Sequence, residues 1–293
     1  MSIITPTTDG AAAVDTVIFD EAVREAANAP ARRKRLVWTL RIGFAAVALG
    51  AWEILARAHI IDPFFFAMPS MILAQLWTWI TEGTSQGPLG GEVLVTLEET
   101  ALGFIIGAAL GIVFGIVLGS NKLLADVFSL YIKIANSIPR IVLGSIFVIA
   151  LGLGMQSKVA LAVVMVFFVV FGNAFQGVRE ADRNLIANAR ILGASQWQVT
   201  TSVIIPAATS WILASLHISF GFALVGAVVG EFLGSRHGIG LLIATAQGLF
   251  NPSGVFAAMI VLAAVALGAD GILTWVENRL LKWRPPAFSD VGA

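Results

Sequence analysis

Five carboxylates, Glu53, Glu98, Glu99, Glu231 and Asp270, fall in or beside long apolar stretches of this sequence. An acid at membrane depth is costly and therefore informative. Such groups can relay protons or pin helices together. A relay needs several titratable groups in register, and none is evident, so a substrate-coupled proton carrier is the weaker reading. Glu98 and Glu99 are expected in the outer turn of their helix, within reach of water or a partner. Glu231 ends an apolar stretch just before "GSRHGIG", which predicts snorkelling to the interface or a pair with Arg236. Asp270 precedes Arg279 by about two turns, too far for a direct bond along one helix, and is read as an interhelical structural residue. The histidines, His59, His217 and His237, have no metal-ligand spacing. His217, inside an apolar stretch, reads as a satisfied packing residue. No cysteine is present, which excludes thiolate metal sites, disulfides and cysteine nucleophiles. "GLGMQSK" at 152–158 lacks the Gly-Lys pair of a phosphate-cradling loop. If nucleotide energy is used, another chain must bind the nucleotide.

A different chemistry, that of docking, is written in "ANARILGASQWQVTTSVIIP", Ala187 to Pro206. Leu185, Ala189 and Leu192 recur at helical spacing, predicting a short helix over Asn184–Leu192. Gly193 stands where a left-handed cap ends such a helix. Ser195 and Gln198 then form an S-x-x-Q capping box that starts a second short helix. Its face carries Trp197, Thr201 and Ile204, and Pro206 is expected to stop it before the next apolar stretch. The result is a helix-turn-helix elbow suited to a partner's groove. Spacing alone also fits an interfacial helix lying on lipid.

The elements that position these residues are membrane spans. Of the 293 residues 58% are hydrophobic and only 12% charged, against about 25% charged in soluble domains. Mean hydropathy is +0.88. A span needs about 20 mostly apolar residues. Six stretches qualify: Val37–Leu55, Val93–Leu118, Ile138–Leu153, Val159–Phe175, Trp211–Phe232 and Val255–Trp275. Leu123–Asn136 reads as an interfacial or shallow helix, with a break at Ser137-Ile138-Pro139. Asp62–Gly83 is too interrupted to span and reads as an amphipathic segment on the outer interface. Residues 1–35 form a polar tail ending in "ARRKR", 36–284 the membrane domain, and 285–293 a short second tail. With the amino terminus inside, every Lys and Arg except Arg57, Lys158 and Arg236 lies in or beside a cytosolic segment. Both tails and the elbow are then cytosolic. The zero net charge points to no nucleic acid or other acidic polymer as partner.

Gly103, Gly107, Gly111, Gly115 and Gly119 recur every fourth residue in "GFIIGAALGIVFGIVLG". Small residues let helix backbones approach closely in lipid, so the row predicts a packing ridge, a glycine-lined pore being the weaker reading. Each four-residue step drifts about 40°, so the row spirals around its helix. Near the third and fourth stretches Ser137, Pro139, Asn173 and Gln176 place polar groups or broken backbone, and mark a candidate translocation path.

The elbow resembles the signature loop of permease subunits of bacterial ATP-binding-cassette importers, whose pattern runs E-A-A-x3-G-x9-I-x-L-P. The pattern falls on Ala187-Asn188-Ala189, then Gly193, then Val203, Ile205 and Pro206, with Ala194, Ser195 and Trp197 following the glycine. Ala187 replaces the leading glutamate and Asn188 the first alanine. "FAMPSMILAQLW", "TLEETALGFIIGAALGIVFGIVLGSN", "NSIPRIVLGSIFVIALGLGMQSKV", "VGEFLGSRHGIGLLI" and "DGILTWVENRLLKW" are similar to the branch importing sulfonates, taurine, nitrate and related small organic anions, and to thiamine-precursor and riboflavin systems. The resemblance implies an all-α polytopic permease of the type I importer fold that is not itself an enzyme. It implies no cofactor on this chain, ATP and Mg being held by a separate cytosolic ATPase that receives the elbow. It further implies an extracytoplasmic binding protein and a homodimeric or heterodimeric permease. Rival readings are an ATP-independent carrier or channel, and a membrane scaffold in which the glycine row and the elbow serve only packing.

Overall fold

The computed structural model describes residues 9–280. Their regular structure is helical, apart from one isolated bridge between Thr84 and Gly87. The chain divides into two compact units, residues 1–63 and 64–293. The first is built on α1 (Asp9–Arg57), whose segment Arg35–Arg57 is long and apolar enough to cross a bilayer. Near its end Arg57 pairs with Glu53 one turn back, at 2.7 Å. The segment expected as a tail over 1–35 is helical from Asp9 onward. Residues 1–8 and the expected tail 285–293 lie outside the described residues.

The second unit carries α2 (Pro63–Phe66), α3 (Pro69–Thr81), α4 (Leu89–Ser120), α5 (Lys122–Ser137), α6 (Arg140–Leu151) and α7 (Met155–Arg179). It continues with α8 (Arg183–Ile191), α9 (Gln196–Val199), α10 (Ile205–Leu233), α11 (Ile239–Gly248) and α12 (Pro252–Leu280). Six segments among the described residues are long and apolar enough to span, as the sequence led one to expect, but their membership differs. Pro63–Thr81 passes on length and apolar composition, but Phe64 stacks on Phe250 and Gln86 Nε2 donates to Thr245, so both of its ends meet the α11–α12 turn, as those of the expected interfacial segment would. Ile138–Leu153 does not stand as a straight span. Its helix α6 has 12 residues, about 18 Å against an apolar core of about 30 Å, and it meets α5 at 85°. The cause is Pro139, which cannot donate to the ladder and pushes Ile138 to extended backbone (φ −78°, ψ 125°).

The core is the α4–α7 seam. Cβ atoms added at Gly103, Gly107, Gly111, Gly115 and Gly119 would come within 2.3–2.9 Å of Ala162, Val166, Val170, Ala174 and Val178 respectively, with the Val163 carbonyl as close to Gly107 as Val166 is. Each partner lies 59 positions on, so the two helices run parallel. The row stays on α7 despite its spiral because α7's own contacts also step in fours, and the two rows wind together. Backbone approach of this kind supplies the packing that hydrophobicity cannot supply in lipid. Across α7, α10 runs antiparallel: Gly177 meets Trp211, Gly226 meets Ala162 and Gly230 meets Lys158. Ala162, fully buried, is held between Gly103 and Gly226. This pairing puts the starts of α4 and α7 and the end of α10 at one end of the bundle. The elbow follows α7 at the other.

Candidate functional site

At the elbow end, Asp182 caps α8 by accepting from the Asn184 N–H at 2.7 Å. Gly193 takes φ +86°, and the Ala194 N–H returns to the Ala189 carbonyl at 3.0 Å, closing the turn. Both halves of the capping box form: Gln198 N–H donates to Ser195 Oγ at 3.3 Å, and Ser195 N–H donates to Gln198 Oε1 at 2.8 Å. Pro206 does not stop the second helix. From α9 the chain passes through a π-helical turn, Thr200–Ile204, directly into α10. The wider turn absorbs the donor that Pro206 lacks.

The elbow has two faces. Val199 and Ile204 are buried with Ala174, Val178, Ala181, Ala208 and Ile212, and Ala189 and Ala194 pack against that cluster. Trp197, expected on one face with Ile204, instead points away and is 74% exposed. Beside it in the chain Ile191 and Leu192 are 82% and 86% exposed. Ala187, Asn188, Ser195 and Pro206 are also exposed, while Val203 and Ile205 are half-buried. A rigidly rooted element thus displays an apolar tip.

The opposite end holds a buried polar cluster that sequence reasoning did not assemble. Glu231, fully buried, accepts from Thr96 Oγ1 at 2.7 Å and from the Gly240 N–H at 2.6 Å. Thr96 Oγ1 accepts from the Ile239 N–H at 2.9 Å. Glu92 takes the Gly238 N–H and lies 3.1 Å from His237 Nδ1. Lys158, also fully buried, donates to the carbonyls of Leu153 at 2.7 Å and Gly154 at 3.1 Å. The expected Glu231–Arg236 pair is replaced by these bonds, because the glycine loop folds back over the carboxylate. Glu99, expected within reach of water, is 2% exposed. The missed signal was the glycine row itself: continued backward from Gly103 it runs through Glu99, Thr96 and Glu92 on the same α4 face.

Asp270 on α12 lies 3.2 Å from His217 Nε2 on α10, an interhelical contact. The polar candidate path residues each bond close to their own place in the chain. Ser137 Oγ bonds to the Lys133 carbonyl and Asn173 Nδ2 to the Val169 carbonyl, each one turn back. Gln176 Nε2 donates to Glu180, and Pro139 forms the α5–α6 break. Among the described residues no His, Asp or Glu group is arranged to hold a metal ion.

This architecture has relatives. The family described as binding-protein-dependent transport system inner membrane component matches residues 107–282, from the glycine row through the elbow into α12 and just beyond. The chain belongs to that family. This permease is 30% identical over 260 residues to the putative aliphatic sulfonates transport permease protein SsuC of Bacillus subtilis, covering 89% of this chain and 93% of the relative. It is 28% identical over 265 residues to the taurine transport system permease protein TauC of Escherichia coli, covering 87% and 96%. In fold, the permease matches a chain of the MetNI methionine ABC transporter in an inward-facing conformation. The TM-score is 0.57 at 18% identity, over 66% of this chain and 94% of the other. It is thus a multi-pass, all-helical membrane permease of the ABC importer type.

Proposed function

We propose that this permease carries a small sulfonate-type organic anion across the bacterial inner membrane, delivered by an extracytoplasmic binding protein and driven by ATP hydrolysis on a separate cytosolic ATPase. The observation that carries the coupling is the elbow: an apolar tip of Ile191, Leu192 and Trp197 exposed to a partner, on an element rooted in the α7–α10 core through Val199 and Ile204. Docked in an ATPase groove, the elbow moves with the nucleotide state and passes that motion to α7 and α10. Inward- and outward-facing states are then biased from both sides of the membrane. ATP and Mg sit on the ATPase and this chain holds no cofactor. Two permease copies, identical or sibling, enclose a path past the α5–α6 break, with Ser137, Pro139, Asn173 and Gln176 along it. Both termini are cytosolic, consistent with the bias of Lys and Arg to the elbow side. The sulfonate class rests on the similarity to the aliphatic sulfonate and taurine permeases.

Gly193→Val tests the coupling. A Cβ there meets no atom within 4 Å, so the change acts through the backbone turn that φ +86° requires. Membrane insertion is retained, while ATPase copurification and transport both fall. Wild-type levels of both would refute the elbow as the coupling element.

A further inference from the structure

Arg140 opens α6 directly after the Ser137-Ile138-Pro139 break, where α5 and α6 meet at 85°. Since α6 returns the chain to the polar-cluster end over about 18 Å, its first residue stands roughly midway through the bundle. The packing of α7 gives the same depth. The guanidinium carbon lies 4.9 Å from the ring centroid of Phe168, near the middle of a 25-residue helix. Its charge pattern had placed Arg140 beside a cytosolic loop; the bent pair carries it inward instead.

A cation at that depth is expensive unless it is paired or used. Nη2 donates to Asn136 Oδ1 at 2.7 Å, a neutral acceptor. Nε is buried with no hydrogen-bond partner. Among the described residues no acidic side chain pairs with the guanidinium. Asp270 faces His217, and Glu231 faces Thr96 and Gly240. The Phe168 ring fixes the guanidinium by its face, which leaves the hydrogen-bonding edge to be used. From Phe168 the same face of α7 continues through Gly172 and Gln176 toward the elbow end. Gly172 and Gln176 are exposed, and a Cβ on Gly172 would meet nothing within 4 Å. The cation therefore stands at the head of an uncovered face. A planar, weakly hydrated fork of donors matches an oxyanion bidentately, and the positive end of α6 lies at the same break.

We propose that Arg140 holds the anionic headgroup of the substrate midway across the membrane and so sets the permease's preference for anions. The inference rests on the sulfonate reading above. The test uses the full importer in proteoliposomes, with its ATPase and binding protein, and measures ethanesulfonate imported per ATP hydrolysed. R140Q lowers that ratio at least tenfold, and R140K, which keeps the charge without the fork, falls between R140Q and wild type. A ratio for R140Q within threefold of wild type overturns the inference, including the case in which import and hydrolysis fall together, as a purely structural role requires. Where R140Q fails to assemble with the ATPase, R140K decides by the same ratio: a loss of threefold or more supports the assignment and an unchanged ratio overturns it. A wild-type complex that imports neither ethanesulfonate nor taurine refutes the substrate reading and the inference with it. Sulfonate import by wild type and R140Q alike refutes the residue alone.

Discussion

Glu231 shows how one side chain dictates its neighbours. A Cβ at Gly238 would lie 2.2 Å from the Glu231 carboxyl carbon, and one at Gly240 would lie 2.3 Å from the Val228 carbonyl oxygen. Gly238 also holds φ +109°, where a side chain is strained in any space. Both glycines are required because the loop must close on the carboxylate. Gly238→Ala therefore destabilises the protein by about 2–3 kcal/mol, read as a lowered Tm in detergent. Glu231→Ala leaves the Gly240 N–H without its buried acceptor and costs roughly 1–3 kcal/mol. Removing the carboxylate also makes room for the new methyl, so the double variant loses less than the sum. Strict additivity of the two losses would show that the glycine answers to something other than Glu231.

At the scale of elements, the glycine row and the elbow are two uses of small residues. Gly111 lies against Val170 Cβ at 2.8 Å and the Phe167 carbonyl at 3.0 Å, measured from the Cβ it lacks. Gly111→Ala pushes α4 off α7 and costs about 1–3 kcal/mol. Gly268, inside α12 with nothing within 4 Å of that position, is the contrast. Gly268→Ala removes only backbone freedom and is expected to stabilise by roughly 0.5–1 kcal/mol. Equal Tm shifts in the two variants would argue against the seam. In the elbow, Ser195→Ala removes one half of the capping box and costs about 1 kcal/mol locally. Because Val199 and Ile204 root the element separately, that loss shows as faster amide exchange in Gln196–Val199, with Tm little changed. Faster exchange spreading through the buried part of α10 would contradict that separation.

For the molecule as a whole, the two ends differ in chemistry. One carries the buried acids and Lys158; the other carries the elbow with its Arg183 and Arg190. The absence of cysteine makes this orientation easy to test. Single cysteines at Ser195 and at Ser235, just after α10, are expected to react with a membrane-impermeant maleimide from opposite sides: Ser195→Cys in inside-out vesicles, Ser235→Cys in intact cells. Labelling of both from one side would refute the topology.

What was legible in the sequence is what short-range chemistry determines. The hydrophobic share of 58% requires a lipid environment for so much apolar surface. A glycine every fourth residue requires a close helix neighbour, though it does not name one. Gly193 and the Ser195–Gln198 box were readable because their hydrogen bonds close within five residues. Only the tertiary structure decided that the row packs on α7, that Thr96 covers Glu231 from 135 positions away, and that Trp197 turns outward while Ile204 turns in. It alone carried Arg140 from the expected membrane edge to the middle of the bundle. The reason is physical: local spacing fixes which face a residue occupies on its own helix, but the partner of that face is chosen by packing between segments far apart in the chain.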